Sequence, residues 1–561
     1  MRGPHGARFE AHRPVVMGRH GMVAAGHPLA SLAGATVLRA GGNAVDAAIA
    51  VAAALNVVEP HMSGVGGDGF LMVYDRRQDS VQVVNATGAA PLAATREVYR
   101  GGIPLKGIRS CSVPGLVDGW LQAHARYGTK TLRELFAPAI DLAENGFPVS
   151  HRLAEYMAAE PGLVEYPSSR AIFAPAGRPL RAGEILYQRD LARTLDAIAE
   201  GGAEAFYRGE IARALVRFSD EQGGLLSRED LANHRTRWQD PIAVAYRGYT
   251  IFEAPPNSSG HALLQMLSIV EQFDLKALGC NSAASVHLMV EAKRLAFADR
   301  ERYLADPEWV DVPVEGLLCR DYARERAAAI DLERAMQDVA PGDPWRFQPG
   351  GAANARPGPA RRGQPSEDTT CFCVVDRQGN AVCQLQSLQS AFGSALVAEG
   401  TGIILNNRMT YWHLEEDHVD RLEPGKRVRH TMNPAMAFKE GRLRLVFGTP
   451  GADTQVQTNL QVLTHVLDFG MTVQEAVEAP RWRHFQNPTE STVPHTCEDR
   501  LQLEGRFPAD VREGLRARGH ALEVVGDWAA AGSEVMIEVD PESGALMGGA
   551  DPRRDAYAIG L

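Results

Sequence analysis

The sequence predicts an α+β fold on three observations: helical spacing dominates the first two-thirds, a Pro/Gly-rich break follows at 341–368, and strands alternate with helices after it. Over 26–58 two closely packed helices are expected, separated by Gly41 and Gly42, with Asn43 as N-cap of the Ala-rich second one. Residues 63–75, SGVGGDGFLMVYD, pass from a glycine turn into an apolar strand, and a charged turn closes it at 75–79. Apolar residues recur near helical spacing over 117–127, 132–145, 191–200, 205–218, 261–273 and 284–304. In the break, Pro and Gly fill eleven of 28 positions without apolar periodicity, so the segment reads as a mobile linker. Beyond it, 369–388 (TTCFCVVDRQGNAVCQLQSL) reads as a hairpin turning at 376–380. Residues 442–467 read as strand, Gly-Pro turn and helix, and 534–552 as another hairpin. No repeat of fixed period is present.

Composition narrows the function. With 561 residues, 45% of them hydrophobic and 23% charged, the chain has ample material for a large core. Asp plus Glu exceed Lys plus Arg by 69 − 58 = 11, which disfavours phosphate backbones and anionic lipid, so neither nucleic acid nor membrane is an expected partner. The longest apolar run, 47–55, is far short of the ~20 residues that cross a bilayer. The basic start, MRGPHGARFEAHRPVVMGRH, lacks the ~7–15-residue apolar core of a secretory signal. Seven scattered cysteines, an odd number, do not resemble a disulfide framework, so reduced thiols and a cytoplasmic location are expected.

Several motifs read as structure. Gly64, Gly66 and Gly69 spell GxGxxG, but a dinucleotide site needs a strand before and a helix after; here the order is reversed, which points to a tight, close-packed turn. His413 and His418 flank Glu415, Glu416 and Asp417 without HExxH spacing or a second ligand cluster, so a solvated acidic turn is expected rather than a metal site. Cys371 and Cys373 share one face of a strand and are assigned to core. Neither GxSxG nor GxxxxGK[ST] occurs. No cofactor and no metal is expected.

The boundary between Asp368 and Thr369 carries chemistry. A flexible segment running into a strand that begins Thr-Thr is what a self-cleaving precursor needs. Cleavage before Thr369 frees an α-amine beside its own hydroxyl, and with an unperturbed pKa of ~7.7–8.0 that amine can act as general base for it.

Five segments then carry a resemblance: 27–70 (HPLASLAGATVLRAGGNAVDAAIAVAAALNVVEPHMSGVGGDGF), 369–382 (TTCFCVVDRQGNAV), 392–409 (FGSALVAEGTGIILNNRM), GTPGAD at 448–453 and GGADPRRD at 548–555. Together, and in this order, they resemble the γ-glutamyltransferase (γ-glutamyltranspeptidase) family through almost the whole chain. The resemblance implies the αββα sandwich of N-terminal-nucleophile (Ntn) hydrolases, formed jointly by a large subunit, 1–368 with its linker at 341–368, and a small subunit, 369–561. It makes Thr369 the nucleophile and Ser387 the hydroxyl that orients it. Gly451 and Ala452 fall on the oxyanion pair, where backbone N–H groups are the donors, so alanine serves if its backbone angles allow.

By the same resemblance the groups that would hold a glutamyl head are changed. The carboxylate-pairing arginine falls on Thr87, an asparagine on Gln389, a glutamine and an aspartate on Arg408 and Tyr411, and paired serines on His430 and Thr431. Losing an anion at Tyr411 while gaining a cation at Arg408 favours acyl groups that are anionic or lack an α-amine, with Arg408 and His430 as carboxylate contacts. The expected function is an autoprocessed amidohydrolase or acyltransferase acting on a small-molecule amide. The acyl group is γ-glutamyl, as in glutathione hydrolases, or non-glutamyl, as in cephalosporin acylases and oxamate amidohydrolase. A reading of another class is an uncleaved, inactive binding protein.

Overall fold

Runs such as Phe70–Tyr74 and Cys371–Val375 are apolar on both faces, and an antiparallel sheet accepts such strands only when both of its sides are covered. The computed structural model, which describes residues 11–350 and 368–561, covers them. The first seven strands of the two main sheets are β1 (Val16–Gly18), β2 (Gly21–Ala25), β3 (Asp68–Asp75), β4 (Ser80–Ala86), β5 (Arg237–Gln239), β6 (Ile242–Tyr246) and β7 (Tyr249–Glu253). The other seven are β8 (Asp368–Asp376), β9 (Ala381–Gln389), β10 (Ala435–Lys439), β11 (Arg442–Gly448), β12 (Val535–Val539), β13 (Leu546–Ala550) and β14 (Tyr557–Gly560). One sheet has the order β14-β2-β8-β9-β3-β4-β5 and the other β1-β13-β12-β11-β10-β7-β6. Met22, Phe70, Cys371 and Cys383 from the first meet Met436, Val446 and Ile537 from the second in one buried layer between them.

Helices close both outer faces. Against the first sheet lie α1 (Pro28–Arg39), α2 (Ala44–Val58) and α3 (Leu116–Tyr127), with α4 (Leu132–Asn145) packed on the outside of α2. Every residue of α2 is buried, and Gly34 of α1 lets it approach, since a β-carbon there would lie 2.5 Å from Val51. Asn43 caps α2 as expected: its side chain accepts from the Val45 and Asp46 amides while Asp46 reaches back to the Asn43 amide. Against the second sheet lie α5 (Gly260–Val270) and, after α6 (Ala283–Tyr303), which packs on the outside of α5, α7 (Gln455–Leu467). The result is a four-layer αββα sandwich, the Ntn-hydrolase arrangement.

Some expectations change. Most of the linker, 351–367, lies outside the described residues, but 341–350 is docked: the Gly342 amide donates to Asp299, Tyr303 donates to the Gly342 carbonyl, and Pro344 is buried. The helix expected at 205–218 is two: 205–207 end a helix kinked at Gly202, and a new one runs from Glu210 to Glu221. Strands β5 to β7 were not anticipated, because their half-buried, mixed patterns carry weak alternation. The glycines of the GxGxxG string pack closely: β-carbons at Gly66 and Gly69 would lie 2.2 and 2.8 Å from the carbonyls of Ile404 and Leu385. All seven cysteines are unpaired, and Cys371 and Cys373 are in the core as expected. Among the described residues no helix is long and apolar enough to cross a membrane.

At Gly448, the last residue of β11, a β-carbon would lie 2.8 Å from Cys371 Sγ and 3.4 Å from Cys383 Sγ. Gly448→Ala is therefore expected to wedge the sheets apart and cost about 1–3 kcal/mol, the range of an overpacked core. Adding Cys371→Ala should recover most of the loss. Thermal unfolding of the single and double variants measures both.

Candidate active site

Thr369 sits near the start of β8, only 2% exposed, and a break in register aims it. Asp368 pairs with Gln389 and Thr370 with Gln386, so two steps on β8 face three on β9, and the surplus residue lies at 387–388, opposite Thr369. The neighbouring Thr370 hydroxyl donates to Glu59 Oε2 at 2.6 Å, pinning the strand to the end of α2. Ser387 stands across from Thr369, and its Oγ accepts the Gln389 amide at 2.8 Å. Gln389 is in the left-handed region (φ +89°), and its side chain is committed to Thr492 at 2.7 Å and Ser390 at 2.5 Å.

The second sheet supplies the other half. Beyond β11 the chain turns through Thr449 and Pro450 to Gly451 (φ +121°) and Ala452 (φ +49°), then enters α7 by a short 3-10 turn. Two amides at a helix start are suited to a developing negative charge. Alanine does adopt the angle, at roughly the 1–2 kcal/mol that a β-carbon costs in the left-handed region. Pro450 and Thr369 line one small buried cavity with Gly26, Glu59, Ser533 and Arg554, which sets the turn beside Thr369. Gln455, the first residue of α7, points its amide at Thr369 Oγ1 across a long 3.5 Å contact.

Buried charges brace this turn from behind. Asp453 accepts from Arg300 of α6 and, at 2.7 and 2.8 Å, from the amide and hydroxyl of Ser491. The adjacent Glu301 pairs with Arg429, whose Nη2 lies 3.4 Å from the Glu490 carbonyl. Burial alone would raise Asp453, but Arg300 and Arg429 outweigh it and hold the carboxyl below its ordinary value.

Four of the residues assigned to substrate meet around Asp68, which sequence reasoning passed over. Arg408 grips it through Nε (3.2 Å) and Nη2 (3.0 Å), and His430 Nε2 lies 3.4 Å away. Arg408 also stacks 4.7 Å over the Tyr411 ring, whose hydroxyl is 3.3 Å from Thr431 Oγ1. Arg408 is thus no lone cation, which corrects the charge expected from sequence. Thr87 lies next door, bonded to Asn85 at 2.7 Å and 3.4 Å from the amide of Asn257, whose carbonyl accepts the His430 amide. Burial, with Arg408 and Arg427, pushes the His430 ring well below its usual pKa, so it is neutral at neutral pH.

The acidic turn 415–417 is exposed as expected, yet its histidines point inward. His413 stacks between His418 and His495. His418 Nδ1 accepts the Asp420 amide, so its Nε2 carries the proton and donates to Glu301 at 3.2 Å, a hydrogen bond rather than a ligand pose.

Sequence offered only a hint of the missed residues, their charge in an apolar setting, and nothing of their partners. Asp68 is the one charge in the apolar stretch 63–74, and Arg300 and Glu301 follow the apolar LAFA on a helix buried along most of its length.

The sequence matches the family model described as Gamma-glutamyltranspeptidase over residues 30–561. It is 39% identical over 551 residues to the glutathione hydrolase-like YwrD proenzyme of Bacillus subtilis, covering 97% of this chain and 99% of that protein. It is also 39% identical over 575 residues to the acylase ACY 1 proenzyme of a Pseudomonas species, covering 100% and 96%. The crystal structure of cephalosporin acylase from Bacillus halodurans superposes with a TM-score of 0.88 at 36% identity, covering 100% of this chain and 99% of that one.

Because Asp453 is depressed in the folded state, its contribution is fully present above the unfolded carboxyl pKa of ~3.9 and is lost as pH falls through the lower folded value. Asp453→Asn should lower the melting temperature at pH 7 and flatten its decline between pH 5 and 3. Parallel melting curves for wild type and variant across that range would show the assignment to be wrong. Arg300→Gln leaves Asp453 without its main counter-charge and should cost about 3–5 kcal/mol, with turnover reduced more than maturation.

Proposed function

This chain belongs to the gamma-glutamyltranspeptidase family of Ntn hydrolases, and from that premise we propose how its residues cleave an amide. The precursor breaks before Thr369, and the new α-amine takes the proton from Oγ1 as that oxygen attacks the amide carbonyl. The tetrahedral oxyanion is met by the Gly451 and Ala452 amides, while Ser387 orients the nucleophile from across the bulge. As the C–N bond breaks, the ammonium returns its proton to the leaving amine, and Thr369 is left as an ester. Water, or an acceptor amine, then gives its proton to the same α-amine and attacks the ester; the acyl–Oγ1 bond breaks, the ammonium returns that proton to Oγ1, and the acyl group leaves as an acid or a new amide. One observation carries this reading: Thr369, at the bulged end of a central strand, shares a small cavity with Pro450, the residue that precedes those two amides.

A γ-glutamyl donor such as glutathione is one substrate reading. A non-glutamyl amide is the second, favoured here because Thr87, Tyr411 and His430 place no fixed charge for an α-amino or α-carboxyl group. The reduced cysteines support a cytoplasmic setting as part of the same proposal.

Thr369→Ala should yield one uncut, inactive chain, while Thr369→Ser should still mature and turn over more slowly. Gel analysis and N-terminal sequencing check this: a mature small fragment beginning with any residue other than Thr369, or activity in the alanine variant, contradicts the assignment.

A further inference from the structure

Strand β3 opens on a charged residue, Asp68, and the sheet register fixes where it stands. Asp68 pairs with Ser387 on β9, and Ser387 lies across the bulge from Thr369, so the three form a row over adjacent strands. At ~4.8 Å per strand, Asp68 lies about 10 Å from the nucleophile, the reach of a short acyl chain. Its carboxylate is fully buried and is held through both oxygens by Arg408, which is itself 1% exposed. The neighbouring His430 ring is neutral, and Arg427, the other cation near both groups, donates to the Arg235 carbonyl, while Asp306 and Glu308 beside it are paired with Arg237. The Asp68–Arg408 pair thus carries one charge of each sign, with the guanidinium already gripped in the two-pronged way it would grip a bound carboxylate.

We propose that the Asp68–Arg408 pair is the specificity-determining floor of the acyl pocket, and that it selects acyl groups with an uncharged far end over those ending in a carboxylate. Asp68 takes the place on Arg408 that a substrate anion would take. A carboxylate arriving there is desolvated beside an existing carboxylate and gains no net opposite charge in return. A zwitterionic γ-glutamyl head meets the same obstacle, since each of its charges must compete with a partner that is already paired. This rests on the reading of Thr369 as an amidase nucleophile.

The test compares kcat/KM for valeryl-, glutaryl- and γ-glutamyl-p-nitroanilide, three five-carbon acyl groups differing in charge, on wild type, Asp68→Asn and Arg408→Gln. Wild type should prefer valeryl to either charged acyl group by at least tenfold. Asp68→Asn, which strips Arg408 of its anion, should move the glutaryl-to-valeryl ratio at least tenfold toward glutaryl. Arg408→Gln, which leaves the carboxylate alone, should move it at least tenfold the other way, and it keeps the idea testable if the first variant does not fold. A wild-type preference for either charged substrate, or a ratio that neither variant moves, overturns the proposal. Calorimetric binding of valeramide against glutaramate separates the two readings. If no anilide is cleaved yet valeramide binds at least tenfold tighter, the amidase reading falls and the pocket assignment stands; equal binding or tighter glutaramate sinks the assignment.

Discussion

The approach of the two sheets at Gly448 sets everything else. With no side chain there, the last residue of β11 rests against the thiols of Cys371 and Cys383, small groups at the centre of the facing strands. That contact fixes the inter-sheet spacing at the end where β8 begins and β11 finishes. Thr369 comes from one sheet and the Gly451–Ala452 amides from the other, so their separation is inherited from this packing. Interiors are close-packed and relax little, so a spacing set by backbone and sulfur is a stiff one.

Stiffness is reinforced by buried charge. Arg300 and Glu301, consecutive on α6, hold Asp453 and Arg429, and through them the segment 489–492 that reaches Gln389. Below the turn, Arg553 grips Glu504 through two bonds of 2.7 and 2.8 Å, and Arg481 pairs with Asp551. Such pairs add little net stability compared with apolar packing, but each tolerates few alternative geometries. Their concentration around a turn with two residues at positive φ matches the need to hold a strained backbone in place.

Much of this was legible from the chain. The capped α2, the hairpin of β8 and β9, and the order strand, turn, helix around Gly448 to Leu467 followed from periodicity and turn residues. Thr369, Ser387, Gly451 and Ala452 were singled out because their neighbours in sequence carry recognisable patterns, and the structure places Thr369 and Ser387 on adjacent strands. Asp68 was missed because its meaning is a pairing with a residue 340 positions away, which no local pattern records. The charge at Arg408 was misjudged for the same reason: a side chain's charge can be read in one dimension, its counter-charge cannot. The ordering of 341–350 also depends on distant partners, Asp299 and Tyr303, that composition does not reveal.

The strand order of the first sheet bears on how such a molecule can be made. Strands from before and after residue 368 are interleaved: β2 lies between β14 and β8, and β9 pairs with β3. Synthesised as two genes, each half would display bare hydrogen-bonding edges along strands that are apolar on both faces, an invitation to fibrous self-association. A single translation product lays every strand beside its neighbour first, so the backbone can be cut afterwards without either piece ever existing alone.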